Sequence, residues 1–259
     1  MRLRPLLGGL LAATAVMFAS IAVPATATAT PSSGEGAVQP LIVGGTPAPA
    51  YSFMASMQNL SGSHRCGASV VHANWAVTAR HCVSGISPSS LRLRVGSNNR
   101  TSGGVLVSVA ALYSHSTADL ALMRIGTVPS SYPSIRIAAS SGPVGTATRI
   151  MGWGQTCPSP GGCGAPVQLQ QLDTSIVSDS LCSGIRAASE ICTNNPGGTR
   201  GACYGDSGGP EIKSVSGAWQ LIGATSRSGG GSVCAVRPSI YVDVPYFRSW
   251  IRSVTGLAL

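Results

Sequence analysis

Eight cysteines, all of them beyond residue 65, constrain most strongly how this chain of 259 residues can fold. An even number of cysteines in an exported chain predicts disulfide bonds, because thiols outside the cell are not kept reduced. A zinc site is the alternative, but the chain has no Cys-x-x-Cys pair, and only His81 adjoins a cysteine. We therefore expect a disulfide-linked domain with no metal and no cofactor.

Export is indicated by the first 29 residues. Arg2 and Arg4 precede a run of apolar or small residues from Leu6 to Val23, and small-residue cleavage sites follow within residues 25–29. That order predicts a secretory signal peptide over residues 1–29. A membrane anchor is the alternative, since the run is about long enough to span a bilayer, but its Ala and Thr content and its cleavage-like end favour the signal peptide. We expect a secreted, extracellular protein that has no membrane association once the signal is removed.

The next residues divide into a short linker and one domain. Residues 30–41 are small and polar, contain Pro and Gly, and predict an activation pro-segment. From Ile42 onward, short apolar runs alternate with Gly, Ser, Pro and Asn about every ten residues, which is typical of an all-β barrel or sandwich. The predicted strands include segments 70–71, 75–77, 91–95, 105–109, 120–123 and 221–224.

The end of the chain has a different period. Phe247, Trp250, Ile251 and Val254 recur at the spacing of one helix face, and Pro245 occupies a first helical position. This predicts a short C-terminal α-helix packed on the β domain 42–259.

The net charge of +9 comes almost wholly from arginine, since Lys213 is the only lysine. A basic protein can bind nucleic acid. Here the arginines are scattered, with no run and no interleaved aromatic residues, so a solvated surface is the better explanation. We expect no nucleic-acid partner.

The segment Gly205-Asp206-Ser207-Gly208-Gly209-Pro210 is the strongest chemical motif. A serine hydroxyl needs a base to take its proton and donors to stabilise an oxyanion. Glycines on both sides of Ser207 allow a tight turn in which successive N–H groups point into one hole.

A histidine base and a buried carboxylate must complete such a site. Of four histidines, His81 adjoins Cys82, whose disulfide would hold the backbone rigid, while His64, His72 and His115 lie in polar or loop-like surroundings and are interpreted as surface residues. Of eight acidic residues, Asp119 directly precedes the apolar run 120–123 and is expected to be buried. Three other aspartates lie in polar or turn-like contexts: Asp173, Asp179 and Asp243.

These motifs together resemble the trypsin/chymotrypsin family of serine proteases, most of all its compact bacterial members. The resemblance covers Ile42 to the C-terminal helix. It implies two six-stranded antiparallel β-barrels with the site between them. The motifs, in family order, are Ile42-Val43-Gly44-Gly45, Thr78-Ala79-x-His81-Cys82, Asp119-Leu120-Ala121-Leu122, Gly152-Trp153-Gly154 and the segment around Ser207.

The resemblance also implies a role for individual residues. Ser207 would be the nucleophile, His81 the general base and then acid, and Asp119 the orienting carboxylate, with the N–H groups of Gly205 and Ser207 as the oxyanion hole. The implied disulfides are Cys66–Cys82, Cys182–Cys192 and Cys203–Cys234, which leaves Cys157–Cys163.

An activation step is implied as well. Cleavage between Leu41 and Ile42 would free an α-amino group that pairs with Asp206 and orders the oxyanion hole. Because Leu41 is neither Arg nor Lys, we expect autocleavage or a protease that cuts before large aliphatic residues.

The substrate pocket departs from the family pattern. Gly201, six residues before Ser207, stands where an aspartate would bind Arg or Lys, so trypsin specificity is disfavoured. Ser239 replaces a wall glycine, and Arg227 and Ser228 follow Ser226 where Trp and Gly are usual. We expect a small or medium apolar side chain in the pocket; an acidic one is the alternative if Arg200 and Arg227 face the pocket rather than solvent.

Two further departures concern Arg80 and calcium. Arg80 occupies a usually small site and either turns outward or pairs with Asp119, which would weaken His81 as a base. The segment between Cys82 and Asp119 contains no acidic residue, so no calcium site is expected.

The sequence thus predicts a secreted, monomeric serine endopeptidase that acts on protein or peptide substrates and is open to protein protease inhibitors. A catalytically inactive binding module is the rival from another class, and an esterase is a third possibility. Labelling of Ser207 by a serine-directed covalent inhibitor would separate the first two.

Overall fold

The computed structural model describes residues 42–259, so the predicted signal peptide, the pro-segment and Leu41 lie outside the described residues. The described chain is mostly β-strand, with two short α-helices. The strands are β1 (Thr46–Pro47), β2 (Met54–Asn59), β3 (His64–His72), β4 (Trp75–Thr78), β5 (Leu91–Val95), β6 (Val105–Ser114), β7 (Ala121–Ile125), β8 (Arg136–Ile137), β9 (Ala147–Gly152), β10 (Gln170–Ser175), β11 (Glu190–Thr193), β12 (Pro210–Val215), β13 (Ala218–Ser228) and β14 (Ser239–Asp243). The helices are α1 (Arg80–Val83) and α2 (Arg248–Thr255).

The first half of the domain is a closed antiparallel barrel in the order β2-β3-β4-β7-β6-β5, with β5 pairing back onto β2. The alternating sequence of β5 shows why such a segment forms a barrel strand. Leu91, Leu93 and Val95 alternate with Arg92 and Arg94, so every second side chain enters the barrel while the arginines stay at its outer side.

The second half is an eight-stranded sheet rather than a fully closed barrel. Six of its strands follow the order β10-β9-β12-β13-β14-β11, with β1 beside β10 and β8 beside β13. The sheet curls until Thr193 of β11 forms an isolated bridge to Ile176, just beyond the end of β10. The predicted all-β, chymotrypsin-like fold is confirmed, with the difference that this bridge alone closes the second barrel.

A single hydrophobic cluster joins the two halves. Phe53 and Leu122 from the first barrel pack in the same cluster as Met151, Ile212 and Val242 from the second. Because this apolar contact excludes water, the loops that leave each half near it are held at a fixed separation.

Four disulfide bonds confirm the prediction that the cysteines are oxidised. Cys66–Cys82 ties β3 to α1, directly beside His81. The other bonds are Cys157–Cys163, Cys182–Cys192 and Cys203–Cys234.

The C-terminal helix is also present where the sequence predicts it. Pro245 begins a 3₁₀ turn, α2 follows from Arg248 and Gly256, with φ of 72°, ends it in the left-handed conformation that favours glycine. Ile251 is fully buried in the cluster between the two halves. Within residues 42–259, no helix is long and apolar enough to cross a membrane.

Candidate active site

His81 and Asp119 are joined by two hydrogen bonds at the edge of the first barrel. The Asp119 carboxylate accepts one from the His81 ring at Nδ1, at 2.8 Å, and one from the His81 backbone N–H, at 2.9 Å. The disulfide at Cys82 holds this turn of α1 against β3. The carboxylate therefore fixes both the position of the residue and the orientation of its ring.

Ser226 supplies the third contact to Asp119. Its Oγ donates a hydrogen bond of 2.7 Å to Oδ2. Burial alone would raise the pKa of Asp119, but the hydrogen bonds from His81 and Ser226 outweigh burial and lower it. An ionised carboxylate only accepts hydrogen bonds, so Nδ1 of His81 carries the proton and Nε2 has a free lone pair. That is the tautomer a general base requires.

Ser207 lies in a tight turn that precedes β12. Gly205 and Gly208 have φ of 99° and 73°, a region that glycine adopts without strain. The turn therefore favours glycine at both positions. Within the described residues, the backbone N–H groups of Gly205 and Ser207 donate to no acceptor. Both donors are therefore available to a ligand oxygen.

Ser207 and His81 line the same pocket, but no hydrogen bond joins them in the part of the chain that the structure describes. The sulfur of Cys82 lies 3.7 Å from His81 Nε2. Contacts of this kind between a nucleophile and its base often form only when a substrate is bound.

The pocket has a volume of about 320 Å³. Gly201 is not among the residues that line it but lies beside two of them, since a Cβ atom built on Gly201 would be 3.6 Å from Ala235 and 3.9 Å from Ser239 Oγ. No carboxylate lines the pocket among the described residues. The lining residues are His81, Ala202, Cys203, Tyr204, Ser207, Thr225, Ser226, Arg227, Ser228, Gly231, Ser232, Cys234, Ala235 and Ser239.

Both arginines near this region are exposed, in agreement with a solvent-facing arrangement, but their contacts differ. Arg227 lines the pocket wall and forms a bidentate ion pair with Glu190, with both N–O distances 2.8 Å. Glu190 is buried, and it has no role in the sequence-based prediction because it lies 37 residues from its partner. Arg200 lies outside the lining, where its Nε donates to Pro196 O.

Arg80 does not pair with Asp119. Its guanidinium donates to the backbone carbonyl oxygens of His115 and Ser116, at 3.2 and 2.9 Å. The expectation that Arg80 either turns outward or contacts Asp119 is thus replaced by a third arrangement, in which it holds the loop before β7.

Asp206 is fully buried directly before Ser207. Its carboxylate accepts hydrogen bonds from the backbone N–H groups of Gly154 and Cys203, at 2.7 and 2.8 Å. Burial raises its pKa to about 7, although these two bonds lower it in part. Among the described residues no cation pairs with Asp206.

The Gly152-Trp153-Gly154 motif makes room for this carboxylate. A Cβ atom at Gly152 or Gly154 would lie 2.1 or 2.4 Å from atoms of the Asp206 carboxyl group, closer than any real contact. The motif therefore has a steric cause that the sequence alone does not show.

The prediction that His64 is a surface residue is wrong. Its Nε2 lies 2.9 Å from Gly205 O and its Nδ1 lies 2.8 Å from Ser56 Oγ. Burial lowers its pKa to about 4, so the ring is neutral at pH 7 and donates from Nε2 to the carbonyl. A bulge between His64 and Cys66 interrupts the alternation of β3, so the two side chains lie on opposite faces. The spacing in the sequence therefore gives no signal for His64.

The other two histidines have no contact with Ser207. Nδ1 of His115 accepts hydrogen bonds from the N–H groups of Thr117 and Ala118, and its ring packs against Trp250. His72 is exposed, and its Nδ1 accepts a hydrogen bond from the Asn74 N–H.

The remaining aspartates named above also lie away from Ser207. Asp173 forms an ion pair with Arg149, and Asp243 accepts a hydrogen bond from Ser141. Asp179 lies in a 3₁₀ turn before Cys182.

Comparison with known proteins agrees with this geometry. The family profile described as Trypsin matches residues 42–251. Trypsin alpha of Drosophila erecta is 38% identical over 234 residues, which make up 83% of this chain and 88% of the relative. Trypsin alpha-4 of Lucilia cuprina is 36% identical over 244 residues, or 86% of this chain and 91% of the relative.

Proposed function

Because the chain belongs to the trypsin family of serine endopeptidases, we propose that Ser207, His81 and Asp119 are its catalytic triad. His81 Nε2 takes the proton of Ser207 Oγ as that oxygen attacks the peptide carbonyl carbon, and then gives the proton to the leaving amine. Water enters and the same transfers, repeated, release the acyl group from Ser207. Asp119 stays ionised throughout.

One observation supports this assignment most strongly. His81 is held by Asp119 through two hydrogen bonds at the mouth of the pocket that Ser207 also lines. The free N–H groups of Gly205 and Ser207 provide two donors for the oxyanion that forms in the transition state.

The pocket favours an apolar P1 side chain, that of the residue before the scissile bond. Gly201 adds no charge beside the pocket, and the guanidinium of Arg227 is neutralised by Glu190. An arginine or lysine side chain would enter without a carboxylate partner, which is costly for a buried charge. An acidic side chain would compete with Glu190 for Arg227, so the acidic alternative is disfavoured.

We further propose that cleavage after Leu41 activates the enzyme. The new α-amino group of Ile42 would give the buried Asp206 carboxylate the cation that it lacks among the described residues, and so hold the Gly205–Ser207 turn. Ile42 is 1% exposed and has φ of 44°, a conformation that a β-branched residue adopts only under strain. Cleavage removes the peptide bond that defines this φ and so relieves the strain.

The domain boundaries proposed are a signal peptide over residues 1–29, a pro-segment over residues 30–41 and the peptidase domain over residues 42–259. With these boundaries we propose a secreted monomer that acts on protein substrates and is open to protein inhibitors.

The test is a P1 profile of the processed protein, beginning at Ile42, against a peptide library, with the Ser207→Ala variant as control. Cleavage after Leu, Met, Phe, Val or Ala, together with covalent labelling of Ser207 by a fluorophosphonate, is the expected result. Cleavage chiefly after Glu or Asp would refute the apolar pocket. Absence of both hydrolysis and labelling would refute the enzyme and favour the inactive binding module.

Autocleavage has its own test. A purified Ser207→Ala precursor is expected to remain uncleaved at Leu41, and catalytic amounts of the processed wild-type protein are expected to cut it. If the Ser207→Ala precursor matures by itself, autocleavage is excluded.

A further inference from the structure

A second cleft, of about 500 Å³, adjoins the pocket on the Asp119 side. His81, Ser226 and Arg227 line both, so the cleft and the pocket are continuous. The residues that line the cleft are Arg80, His81, Thr117, Asp119, Gly184, Arg186, Glu190, Ser226 and Arg227. We call it the arginine cleft.

Both carboxylates in the arginine cleft already have partners. Asp119 accepts hydrogen bonds from His81 and Ser226. Glu190 accepts two from the Arg227 guanidinium and one from the backbone N–H of Arg186. Neither carboxylate is therefore available to neutralise another cation.

The guanidinium groups of Arg80 and Arg186 have only neutral partners. Arg80 donates to the carbonyl oxygens of His115 and Ser116, and Arg186 donates to that of Thr117, at 2.7 Å. Neither takes part in an ion pair within residues 42–259. In both groups only Nη1 is engaged, so Nε and Nη2 retain donors for a ligand.

The two arginines reach the same short loop from different parts of the chain. Arg80 begins α1, and Arg186 lies between Cys182 and β11. Both guanidinium groups donate hydrogen bonds to carbonyl oxygens of residues 115–117. These bonds hold the two positive charges in place beside the arginine cleft. Fixing the groups in advance lowers the entropy cost of binding.

We propose that the arginine cleft binds an acidic side chain of the substrate, one to three residues before the residue that occupies the pocket. The pocket holds the residue whose carbonyl is attacked, and the segment Ser226–Ser228 lines the pocket and continues into the cleft. Because His81, Ser226 and Arg227 line both spaces, we place the substrate residues that precede the scissile bond beside Arg80 and Arg186. This inference rests on the proposed function.

The experiment compares pairs of peptides that share the P1 residue preferred in the library profile. Each pair carries Glu or the isosteric Gln at one of the three preceding positions. For the wild-type protein we expect kcat/KM to be about fivefold higher for the Glu peptide at one or more positions, the size of an exposed ion pair. Added salt should reduce this ratio, because the arginines are exposed to solvent.

The Arg80→Gln/Arg186→Gln variant should bring the Glu/Gln ratio close to 1, and Arg186→Gln alone should give an intermediate value. Arg124→Gln is the matched control. Arg124 is exposed on β7, about 17 Å along the strand from Asp119 at the usual rise per residue. The control removes one positive charge, as Arg186→Gln does, but outside the cleft, and should keep the wild-type ratio.

A wild-type ratio of 1 or less would overturn the proposal, as would a fivefold ratio that survives in the double variant or is confined to positions after the scissile bond. In each of these results the Gln peptides are still hydrolysed, so the proposed function stands. If no peptide is hydrolysed and Ser207 is not labelled, the proposed function fails and this inference fails with it.

Discussion

The buried carboxyl of Asp206 makes the stability of the uncleaved precursor depend on pH. Its pKa is about 7 in the folded protein, against an ordinary value of 3.8. The folded state therefore binds more protons than the unfolded state between about pH 4 and pH 7, and the free energy of unfolding falls as pH rises through that range. The difference corresponds to on the order of 4 kcal/mol lost by pH 8.

Asp206→Asn should remove this loss. The measurement is urea unfolding at pH 4, 6 and 8 of the Ser207→Ala precursor with and without Asp206→Asn. Glu211 is also buried, and burial raises its pKa to about 7, so a part of the pH dependence remains in both proteins. The Asn variant should be less stable than its parent at pH 4, because one of the two N–H donors loses its acceptor. It should lose less stability than its parent between pH 4 and pH 8.

Cleavage after Leu41 should also reduce the slope, that is, the fall in the free energy of unfolding as pH rises. The amino group of Ile42 would keep Asp206 ionised, so the processed Ser207→Ala protein should lose less stability toward pH 8 than the precursor. Asp179→Asn, which alters a partly exposed carboxyl, is the control and should leave the slope unchanged. If the parent and Asp206→Asn precursors have equal slopes, the reasoning about this carboxyl is wrong.

Three further changes test other contacts of the site. Glu190→Gln leaves Arg227 without a counter-charge beside the pocket, so cleavage after Glu relative to Leu should rise several-fold in the P1 profile; an unchanged profile would show that Arg227 does not face the substrate. His64→Ala removes the hydrogen bond to Gly205 O, about 1 kcal/mol, and should lower kcat about fivefold with little change in KM; an unaltered kcat would contradict a positioning role. Replacing both cysteines of a disulfide by serine should lower the free energy of unfolding by about 4 kcal/mol for Cys203–Cys234 and by about 2 kcal/mol for Cys157–Cys163. The loss is larger for the first bond because it closes a loop of 31 residues, against 6 for the second. The reverse order in urea unfolding would show that loop closure does not dominate.

Strands that contain an apolar run were predictable, whereas β2 and β10 were not. All six predicted strand segments overlap observed strands: β3, β4, β5, β6, β7 and β13. Strands β2 and β10 escape the pattern because Ser56, Gln58 and Gln170 are buried in them. Gln58 satisfies one such position by donating to Arg100 O. A search for alternating apolar residues does not detect a strand such as β2, in which polar side chains are buried on one face and apolar side chains on the other.

The same limit applies to the site. Asp119 was recognisable because an apolar run follows it directly. Glu190 and His64 were not, since their partners lie 37 and 141 residues away and no local pattern marks them. His64 reaches Gly205 because the two halves of the domain pack against one another, whereas Glu190 reaches Arg227 because β11 and β13 both pair with β14 in the second half.

Asp206 links three sequence motifs that look independent along the chain. Its side chain needs the space left by Gly152 and Gly154, its backbone N–H and C=O shape the turn that holds Ser207, and its buried charge needs a cation that cleavage before Ile42 would provide. A Gly154→Ala substitution would place a methyl group 2.4 Å from the carboxyl group, so Asp206 would have to move and the Gly205–Ser207 turn with it. A glycine-tryptophan-glycine motif that carries no reactive group is thus required, on steric grounds, by a buried carboxyl group more than fifty residues away.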